Sequence, residues 1–285
     1  MWYLTNMSHQ NLSKENAKFW SEPCGITASD RLNLNPNNKT ELALFDEWYI
    51  SFYPYLFKYL QHFELEKLRV LEIGIGMGTV SRYLASRCLK LDLLDIAPGA
   101  IEFVKSTIPE ATNVDFHCRD VFDFSTNEKF DLVVAIGSLH HTGDLNRALD
   151  RVEDLVKTGG FLLVMVYNAF QPRRFVLHPL RTLQELFKSS RFTIQPKLVF
   201  EESDENMRAK ADSNRDGSAP PYTAFSSRKL FLQRSHFRYN VELQNFHRIP
   251  YVSRFLTREL ALKFFSKYLG CDIYALGRKL PSTSL

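Results

Sequence analysis

The chain is poor in cysteine: Cys24, Cys88, Cys118 and Cys271 stand far apart, and no two form a CxxC pair. That scarcity argues against both a disulfide framework and a zinc site, and leaves the four thiols as buried or incidental side chains. Also missing is any run of about 18 to 20 uncharged apolar residues, so no segment reads as a membrane span. The polar start (Asn6, Ser8, His9, Gln10, Asn11) lacks the apolar centre of a signal peptide, and the expected location is the cytoplasm. No Gly-Lys-Ser/Thr follows the glycine-rich stretch described below, which excludes a P-loop, and there are no internal repeats.

What is present suits a globular protein. At 285 residues, with 45% hydrophobic and 24% charged side chains, the chain can bury one large core, with insertions. The net charge of +4 conceals an asymmetry. Residues 1–170 hold 16 Lys and Arg against 22 Asp and Glu, a balance of −6, and residues 171–285 hold 20 against 10, a balance of +10. A basic flank of this kind is either a solvated face or a surface for an acidic partner.

Residues 1–40 are polar and Asn-rich and predict an irregular segment or a loose helix. From Glu41 to Phe63 aromatics dominate; Phe45, Trp48, Tyr49 and Phe52 fall at helical spacing, and Pro54 predicts a break and a second helix. Apolar runs then alternate with helical patterns. Strands are predicted at Val70–Gly74, Leu91–Ile96, Val114–Cys118, Phe130–Ile136 and Phe161–Val166. The helix over Asp144–Lys157 is the clearest, with Leu145, Ala148, Leu149, Val152 and Val156 on one stripe and Gly159-Gly160 expected to stop it. Continuous apolar strands separated by amphipathic helices predict an α/β, doubly wound, mostly parallel sheet. Residues 169–225 break the pattern with five prolines and an acidic run, and read as an insertion. Regularity returns with a helix at 226–234, a strand at 237–243, a helix at 254–268 and a last strand at 271–276, about seven strands in all. The expected organisation is therefore a cap at 1–65, a nucleotide-binding core at 66–168, an insertion and substrate lid at 169–225, and closing elements of the same domain at 226–285.

The stretch Val70 to Thr79 carries glycines at 74, 76 and 78, directly between a strand and a helix. A dinucleotide fingerprint would place its third glycine at 79, where the chain has Thr79. Asp95 ends the second strand 19 residues after Gly76, where a carboxylate can accept both hydroxyls of a ribose. Together with Arg119-Asp120-Val121, the run Phe130 to His141 and Lys157-Thr158-Gly159-Gly160, this set resembles the class I S-adenosylmethionine-dependent methyltransferases. The resemblance covers residues 66–168, and Leu139-His140-His141 and Tyr167-Asn168 resemble its small-molecule, bacterial branch.

The resemblance implies a Rossmann-like fold that binds S-adenosyl-L-methionine and releases S-adenosylhomocysteine. Gly74, Gly76 and Gly78 would pass around the methionine part, Glu72 would order that loop or hold the amino group through water, and Ile136 and Gly137 would offer backbone to the same end. Asp95 would take the ribose, Ile96 would pack on adenine, and Asp120 and Val121 would meet its amino edge. His141 or His140 would serve as base and Tyr167 as pocket wall, with the aromatic segment, the insertion and Tyr251 to Phe255 shaping the acceptor pocket. The expected partner is a small-molecule acceptor, with no metal, no membrane and an open oligomeric state. An RNA methyltransferase and a non-catalytic methyltransferase-like binding protein are the alternatives. Enzymes that methylate base amino groups resemble one another in an (Asp/Asn)-Pro-Pro-(Tyr/Phe) motif after strand four; here that place reads Ile136-Gly137-Ser138-Leu139, and Pro220-Pro221-Tyr222 lies far downstream.

Overall fold

Each apolar run between Val70 and Val166 forms a strand, and the crossovers between them set those strands parallel. The computed structural model describes residues 8–190, 195–246 and 257–281. The chain opens with α1 (His9–Trp20), α2 (Ile26–Arg31), α3 (Lys39–Phe52) and α4 (Pro54–Gln61). The core follows as β1 (Arg69–Ile73), α5 (Thr79–Ala85), β2 (Lys90–Asp95), α6 (Pro98–Thr107), β3 (Val114–Cys118), β4 (Phe130–Ile136), α7 (Leu145–Leu155) and β5 (Val156–Tyr167). The insertion holds α8 (Pro172–Leu177), α9 (Pro179–Lys188), β6 (Val199–Glu201), α10 (Glu205–Ala211) and β7 (Ala224–Ser226). Last come α11 (Lys229–Leu232), β8 (Phe237–Gln244), α12 (Arg258–Phe264), α13 (Ser266–Leu269) and β9 (Asp272–Lys279).

The main sheet has seven strands in the order β3-β2-β1-β4-β5-β9-β8, and β9 runs antiparallel to both neighbours. It is sandwiched between two helical layers. On one face α7 buries Leu145, Ala148, Leu149, Val152 and Leu155. On the other, α4, α5 and α6 bury Leu56, Leu60, Leu84, Ala100 and Val104. A fully buried leucine such as Leu149 contributes about 2 kcal/mol of apolar transfer free energy, so this double covering anchors the sheet.

Three features differ from the sequence reading. α7 ends at Leu155, and Gly159-Gly160 lie inside β5 rather than stopping the helix. Val156 pairs with Phe130 and Phe161 with Leu132, so residues 157–160 bulge opposite Asp131. The glycines are needed for that approach: a Cβ on Gly160 would lie 2.9 Å from the Asp131 carbonyl oxygen, and Gly159 sits at φ +80°. Secondly, residues 8–31 form two helices. Their stripe is weakly apolar because α1 packs over the sheet largely through polar side chains, as described below. Thirdly, β6 and β7 pair as a separate antiparallel ribbon over Phe200 and Phe225. The expected helix start at Arg254 and the contribution of Tyr251 to Phe255 fall outside the described residues.

Candidate functional site

Strand order reverses between β1 and β4, and the crevice outside their carboxyl ends is where open α/β sheets bind ligands. A cavity of about 280 Å³ opens there. Its floor is the loop from β1 to α5, in which Gly74, Gly76 and Gly78 all adopt left-handed backbone at φ +79°, +51° and +76°. Gly74 is doubly constrained, because a Cβ there would lie 2.2 Å from the Ser138 Cβ at the exit of β4. Ser138 in turn donates to the Ile73 carbonyl at 2.8 Å and ties the two strand ends together.

Two buried carboxylates face this cavity. Asp95 accepts from the Ile75 N–H through Oδ2 and from the Ala97 N–H through Oδ1, both at 2.8 Å. Burial lifts its pKa to about 6 against the pull of those donors. It therefore holds the glycine loop to the end of β2 and borders the cavity. Glu72 is also buried; burial raises its pKa to about 8 against the pull of the Ser81 hydroxyl, and its Oε2 has no hydrogen-bond partner. An orphaned buried carboxylate oxygen is costly unless a donor or cation meets it. Asp120 accepts from the Phe122 N–H at 3.0 Å and from the Ser13 hydroxyl of α1. Ile96, Val121, Ile136 and Gly137 complete the rim, so every residue assigned to cofactor binding from sequence borders one cavity.

The residues proposed for chemistry do not share one environment. His141, in the turn after β4, reaches the cavity, and its Nδ1 lies 2.8 Å from the Tyr222 carbonyl oxygen. A carbonyl only accepts, so Nδ1 carries a hydrogen and donates it there. Nε2 has no hydrogen-bond partner and lies 3.5 Å from Oδ2 of Asp212. His140 is a correction to the sequence reading. Its side chain is fully buried, does not border the cavity, and packs its ring 4.1 Å from that of Tyr167. Burial, and then the neighbouring His141, push its pKa well below the usual imidazole range, so it stays neutral. Tyr167 does form part of the wall, but burial and the Asp212 carboxylate hold its phenol protonated, and its hydroxyl donates to Asp212 Oδ2 at 2.6 Å.

Several site residues escaped the sequence reading. Asp212 follows α10 in the insertion and had no motif to mark it. Asp46, on α3, accepts from Thr79 Oγ1 at 2.6 Å and from Arg82, so the position that lacks a third glycine instead anchors the N-terminal helices. Asn16 of α1 donates to the His141 carbonyl at 2.9 Å, and the Trp20 ring lies 4.8 Å from that of His141. Arg215 of the insertion pairs with Asp30 through two hydrogen bonds of 2.6 and 2.7 Å, and Asn214 donates to the Phe19 carbonyl at 3.1 Å. The insertion and the first two helices thus grip one another across the cavity. His140, His141 and Asp212 also offer three potential metal-ligand atoms within 4.8 Å of one another, a cluster that the absence of paired cysteines did not anticipate.

Comparison with known proteins agrees with this geometry. Residues 71–162 match a family model described as a methyltransferase domain. The chain is 31% identical over 104 residues to a malonyl-[acyl-carrier protein] O-methyltransferase of Acetivibrio thermocellus, covering 36% of each chain. It is 32% identical over 106 residues to a ubiquinone biosynthesis O-methyltransferase of Azorhizobium caulinodans, covering 36% of this chain and 42% of the relative. The match therefore spans well under half the length of these curated relatives. A crystal structure of an S-adenosylmethionine dependent methyltransferase from Mesorhizobium loti shares the fold, with a TM-score of 0.53 at 15% identity over 78% of this chain and 96% of that one. Strand order, glycine loop and family match converge on residues 71–162, the stretch that matches a methyltransferase domain, set on a Rossmann-like sheet.

Proposed function

We propose that this protein transfers a methyl group from S-adenosylmethionine to a hydroxyl or amino group of a small molecule. The observation that carries the reading is the unpartnered Oε2 of Glu72, buried beside three left-handed glycines in a cavity that leads to the free Nε2 of His141. The donor set fits the cofactor. Glu72 offers a carboxylate to an ammonium, Asp95 offers lone pairs to ribose hydroxyls, and the glycines let backbone approach without a Cβ in the way. When bound, S-adenosylmethionine supplies an electrophilic methyl on a sulfonium sulfur.

This chain's residues then have to align the acceptor, exclude water and take a proton. Alignment and exclusion follow from α1 and the insertion closing over the crevice, and such positioning can supply several kcal/mol of the barrier reduction. With an acceptor aligned on that methyl, His141 Nε2 would be placed to take the proton that the acceptor's hydroxyl or amino group gives up. The Tyr222 carbonyl keeps the ring in the tautomer that can receive it.

Calorimetry with S-adenosylmethionine and S-adenosylhomocysteine tests the first half. Binding at micromolar levels by the wild type, weakened in Asp95→Ala, is expected; no binding by the wild type would overturn the reading. Screening of small-molecule acceptors with methyl-labelled cofactor tests the second.

A further inference from the structure

Beyond the cofactor, the cavity contains one carboxylate and, among the described residues, no cationic side chain. The only lysine or arginine bordering it is Arg119, which follows β3 and whose N–H donates to the Asp95 carbonyl, at the opposite end. At the acceptor end stands Asp212. Its Oδ2 takes the Tyr167 hydroxyl, and no described residue donates to its Oδ1. Facing it at 3.5 Å is Nε2 of His141. Around them the walls are aromatic: Trp20, Tyr49, Tyr53 and Tyr167 all border the cavity.

We propose that Asp212 selects the acceptor, admitting ring-bearing hydroxyl or amine compounds, neutral or cationic, and refusing carboxylates and phosphates. A donor X–H placed beside the pair can hydrogen-bond to the Asp212 carboxylate within reach of His141 Nε2. A second hydrogen on the same or a neighbouring atom, as in an amine or a vicinal diol, reaches Oδ1. An anionic acceptor would instead put a second negative charge beside Asp212, whose side chain is largely buried, with no lysine or arginine there to offset it. The aromatic walls give a ring a flat apolar seat without adding charge. Asp212 acts here as a specificity-determining residue, while His141 remains the group that receives the proton.

The inference rests on the methyl-transfer reading, and the two fail separately. Three probes share one ring and differ in charge and donors: catechol, benzylamine and benzoate. Each is titrated calorimetrically into the full chain saturated with S-adenosylhomocysteine, whose own binding reports on the cofactor reading. Catechol or benzylamine is expected to bind the wild type and benzoate to bind at least tenfold more weakly. Asp212→Asn is expected to keep S-adenosylhomocysteine affinity, weaken the donor probes at least tenfold and bring benzoate level with them. Tyr167→Phe, which retains the carboxylate, is expected to preserve the wild-type ranking, whereas a merely structural role for Asp212 would degrade binding of all three probes alike in both variants. Benzoate binding the wild type as tightly as catechol, an unchanged ranking in Asp212→Asn, or no probe binding at all would each overturn the proposal.

Discussion

Asp46 grips Arg82 with both oxygens, Nε to Oδ2 at 2.6 Å and Nη2 to Oδ1 at 2.7 Å, and the same Arg82 donates to the Met77 carbonyl at 2.8 Å. One ion pair therefore joins α3 of the N-terminal helices to the glycine loop. The two side chains are only 15% and 18% exposed, so the pair is screened less than a surface bridge and removal of one partner strands the other. Asp46→Ala is expected to lower unfolding free energy by about 2 to 3 kcal/mol, and to weaken S-adenosylhomocysteine binding by loosening the loop. Urea denaturation and calorimetry check both; a change under about 0.5 kcal/mol would mean the pair is cosmetic.

Glu72 makes the site pH-sensitive in a definite direction. Burial raises its pKa from 4.5 to about 8, so between those values the folded apo protein holds a proton that the unfolded chain has lost. The folded state then binds more protons than the unfolded one, and this group's contribution to stability is full below about pH 4.5 and falls as pH rises toward 8. Asp95, raised to about 6, adds the same sign over a lower window. If Glu72 meets the cofactor's ammonium as a carboxylate, binding expels that proton. Affinity for S-adenosylhomocysteine is expected to rise from pH 6 to pH 8, with proton release visible as a dependence of the calorimetric heat on buffer ionisation enthalpy. Glu72→Gln is expected to abolish the release, to raise apo stability at pH 8 and to weaken binding. Equal heats in all buffers would remove Glu72 from the ammonium site.

The glycine loop offers a separable pair of strains. Gly74→Ala meets both a positive φ and the Ser138 Cβ at 2.2 Å, and is expected to destabilise by about 2 to 4 kcal/mol. The double variant Gly74→Ala, Ser138→Gly removes the clash and leaves the dihedral strain, so part of the loss should return. Thermal unfolding of the wild type and the two variants measures this. A double variant no better than the single would place the whole cost in the backbone.

The sheet was legible in the sequence because each strand is a continuous apolar run and each crossover carries its own helical stripe. The glycine-loop side of the cavity was legible for a related reason: glycines at 74, 76 and 78 and Asp95 line it through backbone geometry and a fixed spacing, which a linear pattern preserves. The acceptor half was not. Asp212, Tyr222 and Asn16 reach His141 from elements more than 70 residues away or from a different layer, and none of them carries a local pattern. α1 was underread because it packs on the site through Ser13 and Asn16, polar contacts that leave little apolar periodicity. The end of α7 was misplaced because the tight approach of Gly160 to Asp131, which only the folded bulge creates, gives those glycines another task.

His141→Ala is expected to lower turnover by about 10²- to 10⁴-fold, the usual range for a lost general base. Cofactor affinity should change little, since the ring contacts Trp20 and Tyr222 rather than the glycine loop. Single-turnover kinetics on the first confirmed acceptor, paired with calorimetry, distinguish the two effects. Unchanged turnover would remove His141 from the proton path.

Zinc should act on this site as an inhibitor. Two ligand atoms on a tetrahedral zinc ion, each about 2.0 to 2.2 Å from the metal, lie about 3.3 to 3.6 Å apart. His141 Nε2 and Asp212 Oδ2 stand at 3.5 Å, and a neutral, buried nitrogen of His140 completes a set of three within 4.8 Å. The Nδ1 contact with the Tyr222 carbonyl is the kind that orients metal-bound imidazoles, so little rearrangement is required. An ion seated there occupies the lone pair that receives the acceptor's proton. Micromolar Zn²⁺ is therefore expected to suppress methyl transfer reversibly, with recovery on chelation. S-adenosylhomocysteine binding should persist, and isothermal titration with Zn²⁺ should lose its site in Asp212→Asn. Activation by zinc would reverse the assignment and make the ion part of the working enzyme, while Zn²⁺ binding unaffected by Asp212→Asn would locate it elsewhere.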